Sequence, residues 1–168
     1  MQPVTPPPIS LLREGVTAGT IGATLVAIWF FVIDLIGGHA LQTPAALGNG
    51  FFSFFGPTSG ESVAMHIVGY TVAHYVAFSA VGCGAAYMIQ VSERVPAALA
   101  GLLILFVVFQ LAFYGVTAIL SMSDALGSMA WWSIGAANLI AAVGMGRYLY
   151  RRHPSLKGTL EYALSGRE

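Results

Sequence analysis

The chain predicts an all-α integral membrane protein with four crossings, and three observations carry that prediction. The first is composition. Of 168 residues, 57% are hydrophobic and only 8% are charged, with mean hydropathy +0.76. A soluble domain carries about 25% charged residues, so these charges are too few to cover a water-facing surface. The second is where the cations fall: Arg13, then Arg94, then Arg147, Arg151, Arg152, Lys157 and Arg167. No lysine or arginine lies between Glu14 and Glu93, or between Val95 and Gly146. The third is that each gap holds apolar sequence for two spans of about 20 residues. Two crossings return the chain to the side it left. The cations then share one compartment, which the positive-inside tendency makes cytoplasmic. The expectation is one membrane domain over residues 1–168, a four-helix bundle with cytoplasmic N and C termini. One long outer loop carries a short interfacial or re-entrant segment.

Each element follows in order. Residues 1–14 are expected to form a proline-rich cytoplasmic arm, because Pro6-Pro7-Pro8 favours polyproline II over helix. Ser10 is a candidate cap for the first helix. That helix is expected over 15–37. Gly38-His39-Ala40 imitates a signal-peptide cleavage site, but the uncharged run before it exceeds the roughly 7–15 residues of a signal core, so it reads as a retained helix. Gly19, Gly22 and Ala23 give it a thin side for a close neighbour. Thr17, Thr20, Thr24, Ala27, Phe31 and Asp34 recur at helical spacing as a stripe ending in a carboxylate.

Residues 38–62 are the expected outer loop. Thr43-Pro44 reads as a helix start, threonine at the cap and proline in the first turn. Phe51, Phe52, Phe54 and Phe55 are too many aromatics for a free aqueous loop and suggest an interfacial segment or a partner contact. The second crossing is expected over 63–90, within 31 consecutive residues (62–92) that lack Asp, Glu, Lys and Arg. After the turn at Glu93-Arg94, the third crossing is expected over 97–121. Residues 123–127, Asp124 among them, make a short outer turn. The fourth crossing spans 128–150, with Trp131 and Trp132 at the outer interface and Tyr148 and Tyr150 at the inner one. Residues 151–168 form a polar cytoplasmic tail, where His153 joins the anchoring arginines.

Several function classes are excluded or disfavoured. Net charge is zero and no basic face exists for nucleic acid. The single cysteine, Cys83, excludes an internal disulfide and a cysteine metal cluster. A haem held by paired histidines needs two deep histidines, and only His74 lies deep, about 18 Å along its helix. No phosphate cradle or hydrolase arrangement is present. No motif identifies a cofactor.

The residues that point to chemistry are polar groups expected inside lipid, where each needs a partner. His74, with Tyr70 one turn before it, Gln110 and Asn138 are the candidate cofactor- or ligand-binding set. They are expected to meet at the bundle axis as a proton, quinone or cofactor site, or else as interhelical hydrogen bonds. Asp34, His39, Glu61 and His66 form a candidate metal set at the outer rim, of ligand types suited to zinc or copper. The expected role is a non-catalytic accessory subunit of a larger energy-converting complex in the inner (cytoplasmic) membrane, in contact with lipid and other membrane subunits. One alternative is a small intramembrane redox, metal- or quinone-binding protein using His74 with Gln110 and Asn138. Another is an oligomeric transporter or channel with the threonine stripe and Asp34 lining its path.

Overall fold

The computed structural model describes residues 8–57, 60, 62–119 and 130–154. Among them are five α-helices and no strand: α1 (Pro8–Ile36), α2 (Gln42–Ser53), α3 (Val63–Ser92), α4 (Leu99–Ile119) and α5 (Ala130–Arg152). A 3₁₀ turn, Pro96–Ala98, leads into α4. Two helical stretches, Leu11–Ile36 and Val63–Ser92, are long and apolar enough to cross a membrane, and Leu99–Ala112 is a shorter apolar stretch. Arm residues 1–7, the expected outer turn 123–127 and tail residues 155–168 lie outside the described residues.

Helix α1 begins within the expected arm. Residues 8–14 are helical. The last proline of the run starts the helix, where its missing N–H costs nothing because the first helical N–H groups have no intrahelical partner. Ser10 therefore sits inside the helix and not before it. At the other end, Gly38 at φ 77° ends α1. Its N–H bonds Leu35 O at 3.1 Å, and the His39 N–H bonds Asp34 O at 3.0 Å. This is the paired closure that a left-handed glycine allows.

The expected outer loop contains a three-turn helix. Leu41, at φ 66°, sits at its N-cap and contributes no side-chain cap. Thr43 is thus not the cap expected from its type. It is the donor to a carboxylate that reaches over from α1, described below. Ser62 caps α3, its hydroxyl accepting from the Met65 N–H at 3.2 Å.

Helix α1 is the centre of the assembly, packed along α3 on one side and α5 on the other, with α2 seated on α3. Small residues make this possible. Gly15 and Gly19 of α1 face Gly82 of α3 so closely that a side chain at Gly82 would meet the α1 backbone. Gly48 of α2 meets the backbone of His66 in the same way. The core is built from Ala18, Ala23, Val26, Phe78, Ala85, Ala86, Ile89, Ala137, Ala141, Met145 and Leu149, alanines interleaved with a few larger side chains. Such backbone-to-backbone approach is how helices gain dispersion contacts where no hydrophobic force separates them from lipid. Helix α4 lies against α3 through the Phe78–Phe109 ring pair, 5.3 Å apart, and against α5 through contacts that include a hydrogen bond between Gln110 and Asn138. Its Leu103, Ile104, Val107, Val108 and Leu111 stay exposed.

Candidate functional site

The residues expected to meet at one axis divide between two places. Gln110 and Asn138 pair with each other: the Asn138 amide donates to Gln110 Oε1 at 2.6 Å, joining α4 to α5. Asn138 also lines an apolar crevice of about 180 Å³ between α3, α4 and α5. His74 faces the opposite way. Its Nε2 donates to the Ala23 carbonyl of α1 at 3.1 Å, and its ring packs on Phe78, Tyr70 and Tyr75 at centroid distances of 4.7, 5.7 and 5.9 Å.

His74 and Tyr70 line a larger cleft of about 360 Å³ between α1, α2 and α3. Thr24 and Ala27 form its α1 wall, Thr71 and Tyr75 continue the α3 wall, and Leu41 with Thr43 and Pro44 of α2 closes one end. The volume falls at the low end of the roughly 300–1,000 Å³ typical of ligand sites. Ile28 and Phe31 edge the cleft and are 54% and 43% exposed, so it opens sideways. Thr24 Oγ1 lies 3.0 Å from Tyr75 Oη, pinning the α1 and α3 walls together. The other stripe threonines bond back along α1: Thr17 to Arg13 O at 2.7 Å and Thr20 to Val16 O at 2.8 Å.

Of the candidate metal set, Asp34, His39 and His66 each make contacts within the fold. Asp34 is buried, and its two carboxylate oxygens accept from Thr43: the backbone N–H at 2.8 Å and the hydroxyl at 2.6 Å. One carboxylate thereby caps α2 from outside it and holds that helix over the cleft. The His39 Nδ1 donates to Gly37 O at 2.7 Å. His66 is buried beneath Phe52, ring centroids 5.5 Å apart. Among the described residues, no three His, Cys, Asp or Glu side chains come together around one metal position. Glu61 and Asp124 lie outside the described residues.

A third cluster escaped sequence reasoning. His153 reaches Glu93 Oε1 through Nδ1 at 2.9 Å and Glu14 Oε1 through Nε2 at 3.0 Å. This clasp joins the start of α1, the turn after α3 and the end of α5. The only signal was that the three acid and imidazole groups border cationic turns. Burial opposes protonation of His153, but hydrogen bonds and charge from Glu93 and Glu14 outweigh it and raise its pKa above 6.5. A raised folded-state pKa adds stability that is fully present below the unfolded value and lost as pH rises through the folded one. The stability advantage of wild type over His153→Gln is therefore expected to be greatest below about pH 6.5 and to shrink above it. Unfolding measured across that range checks this. An advantage that grows with pH would contradict it.

Comparison with protein-family models, curated proteins and solved structures finds no match to this chain.

Proposed function

We propose that this chain is a multi-pass protein of the cell's inner (cytoplasmic) membrane, and that the cleft between α1, α2 and α3 binds a membrane-soluble small molecule beside His74. The helices α1, α3, α4 and α5 make four crossings as a bundle, with both chain ends and the Glu93-Arg94 turn in the cytoplasm. The Glu14–His153–Glu93 clasp supports the even count, because it gathers one end of each of those segments.

The observation that carries the functional reading is the cleft's sideways opening past Ile28 and Phe31 onto the apolar surface of the helices. In a bilayer that mouth faces lipid, so the ligand arrives from the membrane phase. An imidazole kept inside a membrane span is costly unless something uses it, and here it stands at the inner wall of a ligand-sized space.

The reading is tested on protein extracted from its own membranes in mild detergent. Native mass spectrometry is expected to detect a bound apolar molecule on wild type. Ala27→Trp, which fills the cleft from an exposed wall position, is expected to lose it. Wild type with no adduct, or an adduct that survives Ala27→Trp, contradicts the reading. The non-catalytic subunit reading rests on a different observation, the exposed apolar face of α4 together with Phe54 and Phe55 at 63% and 77% exposure. It requires that larger membrane subunits co-purify with the chain.

A further inference from the structure

The hydrogen-bond directions inside the cleft restrict what it can hold, and this inference rests on the cleft being a ligand site. A hydroxyl has one hydrogen to give. Thr71 gives its hydrogen to Ile67 O at 2.7 Å, and Thr43 gives its own to Asp34 Oδ1 at 2.6 Å. Thr24 gives its hydrogen to Thr20 O at 2.8 Å. With that hydrogen committed, Thr24 Oγ1 can only accept from Tyr75, so the Tyr75 O–H is the donor across their 3.0 Å contact. The Ala23 carbonyl can only accept, so the single N–H of neutral His74 is on Nε2 and Nδ1 is left as a bare acceptor. Among the described residues, Tyr70 is the one polar lining side chain whose hydrogen is not already committed.

Toward a ligand, the oxygens of Thr24, Thr43, Thr71 and Tyr75 and the His74 Nδ1 can therefore act only as acceptors, and Tyr70 is left as the donor. A ligand whose polar end only accepts, such as a quinone carbonyl, an ester or an ether, finds a single match. A ligand that donates finds several. The low-polarity surroundings sharpen the difference, because a desolvated O–H left without an acceptor is costly. We infer that the cleft selects a lipid-soluble alcohol or phenol, a molecule with an apolar body and a terminal hydroxyl, of the prenol or quinol kind. His74 Nδ1 accepts that hydroxyl's hydrogen, and Tyr70 donates to its oxygen.

The test uses the full chain in detergent micelles and two matched probe pairs, titrated by native mass spectrometry. One pair is farnesol and farnesyl methyl ether. The other is decylhydroquinone and decylquinone. The hydroxyl-bearing member of a pair is expected to bind about tenfold more tightly, the scale of one net hydrogen bond in a poorly hydrated site. His74→Phe is expected to erase most of that preference, and Tyr70→Phe, which removes the donor both members of a pair can use, to weaken both alike. The preferred pair separates a prenol from a quinol ligand. Equal binding within both pairs overturns the hydroxyl selectivity while leaving the cleft a ligand site. Failure of all four probes to bind overturns the selectivity and the ligand site together. The wild-type comparison alone decides the point if either variant fails to fold.

Discussion

Replacing Gly82 with leucine is expected to separate α1 from α3 and cost more than about 3 kcal/mol, beyond the usual 1–3 kcal/mol of overpacking. The reason is what the added side chain meets. A Cβ at Gly82 falls on the carbonyl oxygen of Gly15 and on the backbone of Gly19, atoms that cannot rotate away. The α1 wall would have to move as a whole, and α1 is the helix on which both α3 and α5 pack. Gly146→Leu is the matched control, since nothing lies within 4 Å of a Cβ there. It is expected to change stability by less than about 0.5 kcal/mol. Reversible unfolding of both variants in mixed micelles measures the difference. Equal losses would show that the contact of α1 with α3 does not hold the fold.

Asp34→Ala is expected to cost about 2–4 kcal/mol and to free α2. Asp34 is 7% exposed and satisfies two Thr43 donors at once. Alanine leaves a buried N–H and a buried O–H without an acceptor, at about 1–3 kcal/mol each before relaxation. The loss of this cap also uncouples α2 from α1, so the end of the cleft formed by Thr43 and Pro44 opens. Limited proteolysis over residues 37–57 is expected to accelerate in the same variant. Asp34→Asn should retain most of the stability, because its carbonyl oxygen can accept the Thr43 N–H while its amide donates to the Thr43 hydroxyl. If alanine and asparagine behave alike and both resemble wild type, the carboxylate is not the brace described here.

The two predictions depend on features of unequal legibility. Helical segments were readable because charge and hydropathy leave long gaps, and the α3 helix, Val63–Ser92, lies inside the uncharged run 62–92. The thin side of α1 was readable from Gly19, Gly22 and Ala23. Its partner glycine on α3 was not, because a helix that is apolar on all sides gives periodicity no contrast between lipid-facing and protein-facing positions. The same lack of contrast explains the grouping of His74 with Gln110 and Asn138. Depth along each helix was estimated from residue count, but rotation about the axis was not available. His74 turns to the Ala23 carbonyl of α1, while Gln110 and Asn138 join α4 to α5. Thr43 looked like a cap from its type and its following proline. What no local rule supplies is an acceptor nine residues earlier, brought round by the left-handed turn at Gly38.

If the clasp of Glu14, Glu93 and His153 marks one aqueous face, the α2 segment lies at the opposite one and the cleft mouth lies between them, in lipid. Single cysteines at Phe55, Arg94 and Pro154, in a Cys83→Ala background, test this with a membrane-impermeant maleimide on intact and opened spheroplasts. Position 55 is expected to react from outside, and positions 94 and 154 only after the membrane is opened. Reaction of 94 and 154 from opposite faces, or of 55 and 94 from the same face, would contradict it.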